Sequence, residues 1–261
     1  MKLGLLGLAT LLGSALFGMQ AARAQDVPVV AAASDLQFAL HEVAAAFTKE
    51  TKRVVNLTFG SSGNFYRQIQ QGAPFQIFLS ADEQLIFDLA AERLTVDEGA
   101  LYAVGRIVII APKGSALEVV ADLAGLKAAL ADGRVRKFAI ANPEHAPYGR
   151  RAEEALRHAG LWEAIKDKLV FGENVSQAAQ FATSGATQGG IIAYSLALSP
   201  EVSKLGTYAL IPDDWHEPLR QRMALIKGAG ETARLFFAFM QGPSARAIMG
   251  RYGFVLPGES S

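Results

Sequence analysis

The stretch Val29-Val30-Ala31-Ala32-Ala33-Ser34-Asp35-Leu36 decides how the chain is read. It is a run of small and β-branched apolar residues that stops at a serine. Beyond it Leu36, Leu40, Val43, Ala44 and Phe47 recur at helical spacing. The pattern is a buried strand running straight into a helix, with Ser34 where an N-cap belongs and Asp35 in the first turn. A helix start leaves backbone N–H groups unpaired and carries a partial positive charge. Such a junction suits an oxyanion. The plainer reading of the same residues is that Ser34 only caps its own helix.

The unit recurs along the chain. Arg53 to Phe59 reads as a strand, followed by Gly60-Ser61-Ser62-Gly63 and a helix carrying Phe65 and Ile69. Phe75 to Ser80 is a third strand, with a helix opening at Ala81-Asp82. Ile107 to Ile110 and Phe138 to Ala141 are further strands. The turn-rich Asn142-Pro143-Glu144-His145-Ala146-Pro147-Tyr148-Gly149 precedes another helix, as does Glu173-Asn174-Val175-Ser176, and Ile191 to Tyr194 is again a strand. Alternation of this kind predicts an α/β architecture with mostly parallel sheets flanked by helices. The turn-rich stretches near Gly105 and from Pro212 to Pro218 are the places to divide it. The expected division is one lobe from residues 25–105 and 218–261, and a second from 106–217.

The first residues read as a targeting segment. Met1-Lys2 is a short basic start, Leu3 to Phe17 an apolar run, and Ala22-Arg23-Ala24 an A-x-A cleavage site. Residues 1–24 are therefore expected to be a cleaved signal peptide, giving a soluble periplasmic product. The 25 basic and 25 acidic residues balance. Losing Lys2 and Arg23 leaves 23 against 25, near −2. That argues against a nucleic-acid partner, which is held by counterion release. The chain has no cysteine, so disulfides, thiolate catalysis and cysteine–zinc sites are excluded.

Signatures of catalysis are missing. No G-x-S-x-G elbow, S-x-x-K, P-loop or G-x-G-x-x-G occurs. His41, His145, His158 and His216 are dispersed, without metal-ligand spacing. What remains is a set of neutral donors at loop tips: Ser34, Ser61, Ser62, the backbone at Tyr148-Gly149, the backbone at Val175, and Tyr194. In open α/β sheets ligands bind outside the carboxyl ends of the strands. Neutral dipoles there suit a fully ionised dianion, which a carboxylate would repel.

These stretches, together with Gly72-Ala73-Pro74, Leu79-Ser80-Ala81-Asp82 and Gly242-Pro243…Arg251-Tyr252-Gly253-Phe254, resemble the periplasmic molybdate-binding protein (ModA) family. The resemblance covers nearly all of the chain beyond the signal segment. It implies a two-lobed periplasmic binding protein fold (type II) with a two-crossover hinge. It implies molybdate or tungstate as ligand, no cofactor, no catalysis, and delivery to the membrane permease of an ABC importer by a monomer. Carried over motif by motif, the ligand-binding set is the Ser34 and Ser62 hydroxyls, the Tyr148 and Val175 backbone N–H groups, and the Tyr194 hydroxyl. Molybdenum enters only as its oxyanion, so no residue ligates a metal ion.

Asp35 departs from the pattern, since the family often has an apolar residue there. The expectation is a first-turn acid facing solvent and favouring the helix dipole. Facing the cleft, it would repel a dianion or accept a proton from a protonated one, which favours a phosphate-like ligand. The rivals are a receptor of the same fold for sulfate or phosphate, a ferric receptor using Tyr66 and Tyr194, and an exported hydrolase using Ser34 or Ser62. The last lacks a placed histidine base.

Overall fold

The computed structural model describes residues 27–259. The expected signal peptide lies outside these residues. The first strands and helices are β1 (Val29–Ala33), α1 (Gln37–Thr51), β2 (Asn56–Gly60), α2 (Ser62–Gln70), β3 (Ile77–Ser80), α3 (Glu83–Ala91) and β4 (Ala100–Gly105). Arg106 alone separates β4 from β5 (Ile107–Pro112). There follow α4 (Ala124–Ala131), β6 (Phe138–Ala141), α5 (Pro147–His158), α6 (Trp162–Ile165), β7 (Leu169–Gly172), α7 (Val175–Thr183), β8 (Gly190–Ala193), α8 (Tyr194–Ala197), α9 (Pro200–Ser203) and β9 (Gly206–Leu210). The chain then returns through β10 (Leu219–Leu225) to α10 (Glu231–Met240) and α11 (Pro243–Arg251).

Two five-stranded sheets result, in the orders β2-β1-β3-β10-β4 and β7-β6-β8-β5-β9. Each is mixed rather than mostly parallel. β1 pairs parallel with β2 and β3, while β10 is antiparallel to β3 and β4. In the second sheet β6 is parallel to β7 and β8, while β5 is antiparallel to β8 and β9. The reason lies in the connections. Strands joined through helices must run parallel, and they point their carboxyl ends at the cleft. β5 and β10 arrive through the hinge, so they start at the cleft and run away from it.

The first sheet is buried on both faces, and its strands alternate strictly between them. Val30, Ala32, Ile77, Leu79, Met223 and Leu225 face Leu40, Phe47 and Phe236 beneath α1 and α10. Ala31, Phe78 and Ala224 face Phe65, Ile69 and Ile86 beneath α2 and α3. Burial on both sides explains the near-continuous apolar runs seen in sequence. Phe47 meets Phe236 edge-on with ring centroids 5.1 Å apart, which ties the C-terminal helix pair to the first lobe. The second lobe has its own core around Ile107 to Ala111, Phe138 to Ala141 and Ile191 to Ala193.

The lobes touch across the cleft. Gly63 N–H donates to the His145 carbonyl at 3.0 Å. Arg150 pairs with Asp82 at 2.9 Å, and Ser176 Oγ donates to the Ser34 carbonyl at 2.8 Å. Gly63 is required by this approach: a Cβ there would lie 2.5 Å from the His145 carbonyl oxygen. Alanine suits a helix better than glycine does, so its cost falls on the contact between lobes. Gly63→Ala is expected to leave circular dichroism unchanged and to hold the lobes apart, read as a larger radius of gyration in small-angle scattering.

Candidate functional site

Four segment starts converge where the carboxyl ends of the two sheets face each other. The pocket between them is lined by Ser34 and Asp35 after β1, Gly60 to Ser62 after β2, Ala146 to Tyr148 at the start of α5, and Val175 at the start of α7. Ala33 and Ala81 complete it. Tyr148 and Val175 sit in first helical turns, whose N–H groups have no intrahelical acceptor. Both helix starts direct positive dipole ends at the same small space.

The serines are placed differently from one another. Ser34 does not cap its helix. Residues Ser34–Leu36 form a single 3-10 turn with no side-chain cap, and α1 follows from Gln37. The Ser34 hydroxyl instead accepts from the Ser176 N–H of the second lobe at 3.3 Å. Ser61 is the cap of α2, accepting from the Asn64 N–H at 3.3 Å. Ser62, one residue on, accepts from the Ala81 N–H at 3.0 Å, which leaves its proton to donate.

Tyr194 is not part of the lining. It begins α8, its N–H bonds the Arg106 carbonyl at 2.9 Å, and its ring lies 5.9 Å from that of Tyr208. A Cβ on Gly253 would come within 2.6 Å of the Tyr194 ring, so the ring rests on that turn. Ser195 is the residue that reaches across the lobes, its Oγ donating to the Asp35 carbonyl at 2.8 Å. Of the five expected ligand groups, the fold brings four to one pocket.

Asp35 overturns its expectation. It is 1% exposed and lines the pocket instead of facing solvent. Its Oδ2 accepts from the Tyr148 hydroxyl at 2.9 Å and from Gln221 Nε2 at 2.7 Å. Gln221 in turn accepts from the Tyr102 hydroxyl at 2.8 Å. The 3-10 turn Ser34–Leu36 carries residue 35, and all three of its residues are buried. Burial outweighs these hydrogen bonds and pushes the Asp35 carboxyl up to about 6. Burial, then the nearby carboxylate, pushes both tyrosine hydroxyls well above their ordinary value, so they remain donors. Gln221 carried a signal in the sequence: it interrupts the buried row Leu219, Met223, Leu225 of a strand with a polar amide.

His145 stands beside Ser61, and not beside Ser34 or Ser62, the serines considered as nucleophiles. Its Nδ1 lies 2.9 Å from Ser61 Oγ and its Nε2 lies 3.6 Å from Glu173. The resemblance to a serine–histidine–acid set ends there. Ser61 also bonds the His145 carbonyl at 3.1 Å and is 4% exposed, so its oxygen is committed on every side. The group clamps one lobe to the other at the rim of the pocket. Among the described residues no cluster of three or more His, Asp or Glu side chains is arranged to hold a metal ion. No helix among them is long and apolar enough to cross a membrane.

Comparison with known proteins agrees with this geometry. Residues 28–255 match the model of a family described as bacterial extracellular solute-binding proteins. The chain is 34% identical over 258 residues to the molybdate-binding protein ModA of Rhodobacter capsulatus, covering 98% of this chain and 96% of that protein. It is 35% identical over 259 residues to ModA of Azotobacter vinelandii, covering 98% and 100%. The solved periplasmic molybdate-binding protein of Azotobacter vinelandii superposes with a TM-score of 0.80 at 31% identity, over 88% of this chain and 99% of that one. The fold is the two-lobed one of periplasmic binding proteins, and relatives of this kind bind solutes without transforming them. The chain belongs to the extracellular solute-binding proteins of ABC transport and, within them, to the ModA molybdate-binding family.

Proposed function

We propose that this protein captures molybdate or tungstate outside the cytoplasmic membrane and delivers it to the permease of an ABC importer. The observation that carries the reading is the convergence of two serine hydroxyls and two helix starts on one small interlobe pocket. The proposed ligand groups are the Ser34 and Ser62 hydroxyls and the backbone N–H groups of Tyr148 and Val175. Tyr194 is left out, because it is not among the residues that line the pocket. The names of the near relatives support molybdate as the anion. The apolar run Leu3 to Phe17 with Ala22-Arg23-Ala24 supports export to the periplasm and cleavage near Ala24.

An anion touching both lobes favours closure by whatever it gains only in the closed state. Hydroxyl and amide donors stabilise a dianion without a counter-charge because each charge-assisted bond is short and strong. The lobes are expected to move about the two crossovers, Gly105 to Ile107 and Leu210 to Leu219, where few dihedrals absorb the change.

Calorimetric titration with molybdate, tungstate, sulfate and phosphate tests the assignment. Molybdate and tungstate are expected to bind one-to-one and sulfate far more weakly. Displacement of molybdate by an equal concentration of sulfate or phosphate would show the assignment wrong. Ser34→Ala and Ser62→Ala are each expected to weaken molybdate binding by roughly 1–3 kcal/mol, the size of a hydrogen bond to a charged group. Circular dichroism should be unchanged in both. Tyr194→Phe is expected to bind as the parent protein does; a loss of the same size as in the serine variants would return Tyr194 to the site.

A further inference from the structure

Asp35 leaves one feature of the pocket without an account. Its Oδ1 is buried and receives no hydrogen bond of good geometry, with the backbone N–H groups of Asp35 and Leu36 close to the carboxyl, although Oδ2 has two side-chain donors. The residue is a lining member of the pocket, next to Ser34 and against Tyr148. A buried carboxylate oxygen without a well-aligned donor is costly, and a dianion placed beside it repels it further. A proton on Oδ1 removes both penalties at once, since the hydroxyl then has an anion oxygen to donate to.

We propose that Asp35 contacts the bound anion through Oδ1 and that one proton sits between them. For a fully ionised anion the proton comes from solvent: the carboxylate takes up one H⁺, becomes a neutral acid, and donates it in a hydrogen bond to the anion. No other bond forms or breaks, and the proton returns to solvent on release. For an anion that already carries a proton, such as hydrogen phosphate, the anion's own O–H donates to the ionised Oδ1 and no uptake is needed. The inference rests on the oxyanion reading above and names the fifth group of that site.

The surroundings of Asp35 suit this role. Tyr148 of α5, Tyr102 of β4 and Gln221 of β10 surround the carboxyl, and Ser195 of α8 holds its carbonyl. Ser176 of α7 holds Ser34 beside it. The ionisable side chains around the cleft are engaged elsewhere: Arg150 with Asp82, His145 beside Glu173, and Arg106 with Asp213. Of the two side chains that donate to the carboxyl, Tyr148 comes from the second lobe and Gln221 from the first. The carboxyl's raised value of about 6 means that it is mostly ionised near neutral pH before ligand arrives.

The sign follows. A group that holds its proton more tightly in the complex gives the strongest binding below its value in the free protein. That binding is lost as pH rises through it. Molybdate affinity is therefore expected to be level below about pH 6 and to fall about tenfold per pH unit above it. Titrations at pH 7.5 in buffers of different ionisation enthalpy should read close to one proton taken up per molybdate, and close to none at pH 5. Asp35→Asn, which offers an amide donor in place of the acid, should bind molybdate with no proton uptake and a flat pH profile. Phosphate, where it binds the parent protein, should bind without uptake at pH 7.5. Molybdate binding with no proton uptake and a flat profile in the parent protein overturns this inference and leaves the functional reading standing. No molybdate binding at any pH overturns both. The parent-protein measurement needs no variant, so a failure of Asp35→Asn to fold does not remove the test.

Discussion

A buried anion must have its charge met by something, and the pocket between the lobes offers two helix starts for it. Parallel strands joined through helices put every strand's carboxyl end, and the helix start that follows it, on the same edge of the sheet. Two such sheets face each other across the cleft. The unpaired N–H groups of α5 and α7 then oppose the hydroxyls that follow β1 and β2. The small residues around them, Ala33, Gly60, Ala81 and Ala146, allow backbone to approach backbone. Larger side chains at those positions would fill the space that the anion needs.

The lobes meet through polar contacts and through a smaller apolar seam, where Ala33, Ala81 and Leu219 of the first lobe join the core of the second and Phe38 packs against it. Gly63 to His145, Arg150 to Asp82, and Ser176 to Ser34 are the polar contacts. These exchange readily with water and each contributes modestly. The ligand then decides the balance by adding contacts available only when both lobes are near.

The Asp35 cluster is the exception to this economy of charge. A carboxyl buried among Tyr148, Tyr102 and Gln221 sits beside the place where a dianion belongs. Its burial is tolerated because Oδ2 has two donors from two lobes, and this makes the same group sensitive to what occupies the pocket. The neutral donors that line the pocket are thus accompanied by one buried titratable group.

Much of this was legible in the residues. Strand-to-helix junctions at Ser34, Ser62, Tyr148 and Val175 are local patterns, set by apolar periodicity and turn chemistry, and they located four pocket groups before any fold was known. The passages between the two sheets, near Gly105 and through Pro212 to Pro218, were marked by the same punctuation. Three things depended on tertiary structure. The sheets are mixed because β5 and β10 enter through the hinge, and strand direction depends on which lobe a connection comes from. Tyr194 rests on Gly253 and Tyr208, because its side-chain direction is set by packing against a turn distant in sequence. Asp35 faces inward because Tyr148 and Gln221 donate to its carboxyl and Ser195 of the other lobe holds its carbonyl. Periodicity within a segment carries no information about partners more than a hundred residues away, and those partners decide which way a side chain points.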